Sequence, residues 1–237
     1  MNSFVKLLLI NVLLFLSLQT SSAQSALVQQ ENLNKIGENW HNGSVITFNN
    51  RYKGVNGSPL LHNDWLPGSI TLTSDTVITD VYIKYDVEED RLYRRVNHNN
   101  ANLILNYKIK SFTVLGVGSE KTFIKMAIDK PDEETFVELL ANGTLVLVSK
   151  PKCRIRKADS NSSYGTGQQY DEYIHYTELF LLDTKTNEIQ PAKANKKFFL
   201  QHMEDKEEAM SNYFKTNKPF LKDEKEVKQL VNFYNAL

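Results

Sequence analysis

Val77-Ile78-Thr79-Asp80-Val81-Tyr82-Ile83-Lys84-Tyr85-Asp86-Val87 is the stretch that decides the fold class. Val77, Thr79, Val81, Ile83, Tyr85 and Val87 share one face of an extended chain, while Asp80, Lys84 and Asp86 occupy the other. One side meets a core and the other meets water, the pattern of an antiparallel strand. Further strands are expected at 91–96, 103–109, 111–117, 121–128, 135–140, 144–149 and 173–183. The links between them are too short for helical crossovers, which argues against a parallel sheet. Asn142-Gly143 lies between two apolar runs, and this dipeptide predicts a hairpin through its tolerance of positive φ.

Beyond Ala192 the period becomes helical. Met210, Tyr213 and Phe214 form one stripe; Val227, Leu230, Val231, Tyr234 and Leu237 form a second; Pro219 separates them. Asp205 with Glu208, and Asp223 with Glu226, have capping-box spacing. The predicted fold is therefore α+β: a mainly antiparallel β-sheet, a curved sheet or open barrel, covered by C-terminal amphipathic helices. Four segments follow: a signal peptide at 1–23, an arm or short helix at 24–43 with Leu33, Ile36 and Trp40 on one side, a β-rich domain at 44–192, and helices at 193–237.

The export signal is read from Lys6, the apolar run of 7–18, and the small residues Ser21 and Ala23, with cleavage expected after Ala23. About twelve apolar residues make a helix of about 18 Å, too short for a hydrocarbon layer of about 30 Å. No transmembrane span is expected in the mature chain, and the protein is placed in the periplasm or at the cell surface. A single cysteine, Cys153, excludes an internal disulfide. Of 237 residues, 28 are Lys or Arg and 28 are Asp or Glu, and this balance argues against a nucleic-acid partner bound by bulk electrostatics.

Chemistry-bearing residues are sparse. His41, His62, His98, His175 and His202 are scattered, and no metal or other cofactor is expected. His62 and Asp64 form the best local pair, and the acidic turn Asp86-Val87-Glu88-Glu89-Asp90 reads as a solvated hairpin connection. Cys153 between Lys152 and Arg154 has the setting of a thiol with a lowered pKa, although a small residue buried on a strand is the favoured reading. Lys150, Lys152, Arg154 and Arg156 alternate along one face of an extended segment, giving a positive row about 20 Å long. That row is either an anion-binding face for an acidic glycan, a lipid headgroup or another envelope protein, or an edge strand protected by charge and by Pro151, or a set of cations paired with nearby carboxylates. Asp75-Thr76-Val77 matches the short Asp-Ser/Thr-aliphatic acceptor of Bacteroidota O-glycosylation, which makes Thr76 a candidate modification site.

Gly57-Ser58-Pro59-Leu60-Leu61, Leu66-Pro67-Gly68-Ser69-Ile70, Val81-Tyr82-Ile83-Lys84-Tyr85-Asp86 and Ile109-Lys110-Ser111-Phe112 together resemble the N-terminal part of an uncharacterised family of exported Bacteroidota proteins. Glu178-Leu179-Phe180-Leu181-Leu182 and the ending Val231-Asn232-Phe233-Tyr234-Asn235-Ala236-Leu237 resemble that family's close. The resemblance implies an envelope location and one recurring architecture, and it transfers no catalytic residue. The expected function is a non-catalytic binding or structural component of a bacterial cell envelope. One alternative is a secreted hydrolase built from His62, Asp64 and the acidic turn. Another is a carrier holding an apolar ligand against Ile83, Tyr85 and Phe112 inside the curved sheet.

Overall fold

The computed structural model describes residues 45–46, 54–95, 101–104, 106–116, 118–158 and 170–237. The signal segment, the arm at 24–43, His41 and His98 lie outside them. Among the described residues, twelve strands form one sheet. They are β1 Val45–Ile46, β2 Val55–Asn56, β3 Leu66–Leu72, β4 Val77–Asp86, β5 Arg91–Arg95, β6 Ala101–Ile104, β7 Ile109–Gly116, β8 Ser119–Lys130, β9 Glu133–Ala141, β10 Leu145–Arg156, β11 Asp171–Asp183 and β12 Glu188–Pro191. Their spatial order is β1-β6-β5-β4-β3-β7-β8-β9-β10-β11-β12, with every pair on this path antiparallel. β2 departs from the rule and runs parallel to the start of β11.

The sheet curls, and a strap brings its two flanks together. At one end of the strap, Val55 and Asn56 pair with Asp171 and Glu172 of β11. At the other, Leu61 N–H donates to Tyr85 C=O (2.9 Å) and Val87 N–H to Pro59 C=O (3.0 Å), with Leu60 bridged to Asp86. Tyr173 on β11 reaches across to Glu88 beside β4, its hydroxyl donating over 3.2 Å. The expected curved antiparallel sheet is thus observed, and the strap crosses its opening.

Aromatic rings fill the curl. Phe112 and Phe123 stack at 4.7 Å; Tyr85 packs at 5.4 Å from Phe112, and Phe136 stands edge-on to both Tyr85 and Phe112. Ile70, Ile78, Ile83, Leu92, Ile104 and Ile109 complete this core. The three residues expected to line an apolar cavity, Ile83, Tyr85 and Phe112, are buried against these neighbours.

The strict alternation expected along β4 breaks at Asp80. Val77 is exposed and Ile78 fully buried, yet Ile83 and Tyr85 face inward as expected. Gly68 pairs with Val81 whereas Ile70 pairs with Ile78, so β4 carries one extra residue, and Asp80 takes φ 56°. A bulge of this kind inverts which face each preceding side chain occupies.

Three helices close the chain: α1 Lys196–His202, α2 Glu207–Asn217 and α3 Glu224–Ala236. They cover Leu145 and Leu147 of β10 and Leu181 of β11 with Phe198, Phe199, Met203, Met210, Phe214, Val227, Leu230, Val231 and Tyr234. The helical stripes are as expected except at Leu237, which is exposed. The opposite face of the same strands carries a smaller apolar cluster of Val137, Val146, Val148 and Phe180. Lys218 ends α2 in the left-handed conformation, just before Pro219.

The predicted caps divide. Asp223 caps α3, accepting from the amides of Lys225 (2.8 Å) and Glu226 (3.2 Å). Glu226 turns instead to the Phe220 amide, so only half of the box forms. Asp205 caps nothing: it lies in a 3-10 turn, Glu204–Lys206, and its carboxylate holds Lys185 (2.8 Å) and the Tyr234 hydroxyl (2.9 Å).

The β9–β10 hairpin stands where Asn142-Gly143 predicts it, for a different reason. Neither residue has a positive φ. A Cβ on Gly143 would lie 2.5 Å from the side-chain Cγ of Asn235, whose amide occupies that space and bonds Leu145. The glycine is there to admit α3.

Candidate functional site

The outer face of β10 displays the basic row in the predicted alternation, with Pro151 and Cys153 turned toward the interior. Its cations are not isolated. Lys150 bonds Asp129 of β8 at 2.9 Å, Lys152 bonds Glu178 of β11 at 2.6 Å, and Arg156 bonds Glu172 at 2.5 Å. Arg154 lies over the Tyr176 ring at 5.9 Å, and Lys157 bonds Asp171 at 2.8 Å. The Lys150 bond holds the Asp129 carboxyl below its ordinary range, and the Glu178 bond raises the Lys152 ammonium. β11 positions most of these partners, because residues 145–156 pair with it along their whole length. On its other side β10 meets β9 only through Leu147, Val148 and Ser149. Among the described residues the stretch Lys150–Arg156 has no strand partner on that side, and Pro151 sits in it without an N–H to offer. The face is a ladder of alternating charge rather than a uniform positive row.

Cys153 does not have the setting of an activated thiol. Lys152 and Arg154 project from the opposite side of the strand, and Cys153 packs on the aromatic core. Burial, then the charges of Glu88 and Asp86, push its pKa up to about 11.

The acidic turn is less solvated than its composition predicts. Asp86 and Val87 are buried, and one Asp86 carboxylate oxygen accepts from the amides of Glu88 and Glu89, at 3.1 Å each. Asp90 accepts from the Tyr85 hydroxyl (2.5 Å) and the Phe136 amide (3.3 Å), tying the turn to β9. Burial, then Asp90, raises the Tyr85 pKa well above its ordinary value.

A second group of polar side chains, which sequence reasoning did not assemble, lies between the aromatic core and the helix-covered core. Glu138 of β9 bonds Lys121 of β8 at 2.6 Å, and its neighbour across the ladder, Ser149, donates to Glu224 at the start of α3 at 2.7 Å. Half-buried His62 feels Lys121, Glu138 and Asp64. Its Nε2 is sealed from solvent and has no hydrogen-bond partner among the described residues. Burial and then Lys121 lower its pKa, outweighing the two carboxylates. The structure thus brings Asp64 to His62, while the carboxylates of the acidic turn are engaged with their own amides, Tyr85, Tyr173 and Arg91. Only the interleaving of β8, β9 and the strap creates this group, and no local motif signals it.

The remaining candidates stand apart. His175 Nε2 contacts Ser58 C=O at 2.7 Å, fastening the strap to β11. His202 bonds Gln190 and the Phe198 carbonyl. Among the described residues no three His, Cys, Asp or Glu side chains converge as a metal site, and no helix is long and apolar enough to cross a membrane. Thr76 sits in the tight β3–β4 turn beside Ser74, with a 3.0 Å contact between hydroxyls, next to Asp75, whose φ is 62°. No family model matches the chain, and neither a curated protein nor a solved structure matches it.

Proposed function

We propose that the protein is an exported, non-catalytic binding or structural component of a bacterial cell envelope, acting through the outer face of the β10–β11 hairpin. The observation that carries this reading is the charged ladder. Lys150, Lys152, Arg154 and Arg156 of β10, with Lys157 just beyond it, stand beside four carboxylates, Asp171, Glu172 and Glu178 of β11 and Asp129 of β8. Exposed ion pairs contribute only about 0–1 kcal/mol each, so a multivalent anion can displace the resident carboxylates and take over the cations. Their spacing along the strand, about 7 Å between alternate residues, suits a repeating acidic glycan or an array of lipid headgroups.

The signal-like start of the chain and the resemblance to exported Bacteroidota proteins support the envelope location. The filled curl supports action from the outside rather than enclosure of a ligand.

Vesicles of phosphatidylglycerol and phosphatidylcholine, sedimented with the purified protein at low and high salt, test the reading. The expected result is salt-sensitive binding to the anionic vesicles, lost when Lys150, Lys152, Arg154 and Arg156 are all replaced by Gln. Equal binding by the two proteins would remove the ladder from the function.

A further inference from the structure

We propose that the strap closing the curled sheet, residues 55–65, is a pH-responsive clasp that loosens when His62 takes up a proton. The strap holds two flanks of the sheet together through few bonds. Val55 and Asn56 pair with β11, His175 grips Ser58 C=O, and the amides of Leu61 and Val87 tie it to β4. Leu60, within the strap, is buried and bridged to Asp86. His62 lies two residues further along the same strap, so its side chain is inserted only while the strap is seated.

The groups facing His62 are Lys121 from β8, Glu138 from β9 and Asp64 from the strap itself. Lys84 of β4 lies near enough to Asp64 to share its charge and rests over the Trp65 ring at 5.1 Å. Lys121 already neutralises Glu138 through its 2.6 Å bond. A proton on the imidazole therefore places a second cation beside the Lys121 ammonium, in a spot where Nε2 is sealed from solvent and meets no acceptor among the described residues. Asp64 opposes this, but burial and Lys121 prevail, and the imidazole in the closed form sits below 6.5.

The direction of the pH response follows. An open strap exposes His62 to water, where it binds protons more readily than in the closed form. Closure is at full strength above pH 6.5 and weakens as the pH falls from there toward the lower closed-state value, below which the effect levels off. Opening frees the edge of β11 and uncovers the neighbourhood of Tyr85 and Asp86.

Amide hydrogen exchange on the full chain reads this, with rates corrected for the intrinsic pH dependence of exchange. The expected result is a loss of protection at Leu61 and Val87 between pH 7.5 and pH 5.0, with Phe123 in the central strands unchanged. His62→Gln and His62→Phe should each give the same strap protection at both pH values. A wild-type strap with equal protection at both pH values would overturn the proposal, as would the same loss in either variant. NMR titration of the His62 ring in the wild-type protein gives a check that needs no variant: titration at or above 6.5 would also overturn it.

Discussion

Replacing Gly143 by Ala and Asn235 by Ala, singly and together, should give strongly non-additive losses of stability. The Asn235 side chain bonds Leu145 twice, accepting from its N–H at 3.0 Å and donating to its C=O at 2.8 Å. Leu145 is fully buried, so Asn235→Ala strands a donor and an acceptor at about 1–3 kcal/mol each. Partial access of water to the half-buried Asn235 position brings the expected total to about 2–4 kcal/mol. Gly143→Ala places a Cβ 2.5 Å from Asn235 Cγ, and the amide cannot swing aside without giving up both bonds. Its cost is about 1–3 kcal/mol, bounded above by that of Asn235→Ala. In the Asn235→Ala background the obstacle is gone. Because φ at Gly143 is not positive, alanine there should be neutral or stabilising by up to about 1 kcal/mol. Urea unfolding followed by circular dichroism on the four proteins measures the cycle. A coupling of about 2 kcal/mol is expected; losses that add to within about 0.5 kcal/mol would refute the idea that the glycine exists to admit Asn235.

Gly68→Ala should be far more damaging than Gly116→Ala, because the new Cβ would lie 2.2 Å from the Thr113 carbonyl oxygen at the first site and 3.6 Å from its nearest neighbour at the second. A loss of about 3 kcal/mol or more is expected for the first and under about 1 kcal/mol for the second, and similar urea midpoints would contradict this. Folding raises the pKa of the Cys153 thiol from 9.0 to about 11 and of the Tyr173 hydroxyl to about 12, so the unfolded chain loses these protons first. Stability should hold below pH 9 and decline as the pH climbs from 9 toward 11, less steeply in Cys153→Val; a urea midpoint that stays flat to pH 10.5 would count against it. Intact-mass measurement of the exported protein should show a chain beginning at Gln24 with added mass that vanishes in Thr76→Val, and a mass equal to the bare cleaved polypeptide would eliminate Thr76 as a modification site.

Period-two stretches and helical stripes carried most of the architecture, because each element needs one apolar face and that need is written locally. The β10 alternation, the Asp223 cap and the helix-covered leucines were all legible on these terms. What escaped depends on residues distant in sequence. Nothing near Asp80 announces that one residue is surplus in the ladder with β3, so the phase of β4 was legible only beyond the bulge. The acidic turn reads as solvent-exposed because a carboxylate that caps two amides looks, in sequence, like one that meets water. The basic row showed its alternation but not its partners, since Glu172 and Glu178 acquire their positions only through the β10–β11 register. His62 stood out as a residue, while Lys121 and Glu138 had no reason to be associated with it until β8, β9 and the strap converged.

The parallel pairing of β2 with β11 also sets an order of events during synthesis. The strands from β7 to β11 pair with their immediate successors, contacts that form on microsecond to millisecond timescales once each hairpin is complete. Ser58 and His175 are 117 residues apart, so at about 5–20 residues per second the strap emerges roughly 6–23 s before the strand that receives it. Through that interval its apolar Pro59, Leu60 and Leu61 have no complete site to occupy. The strap therefore waits longer for its partner strand than the neighbouring hairpins do, and any holding factor acting on the nascent chain would find its binding segment there.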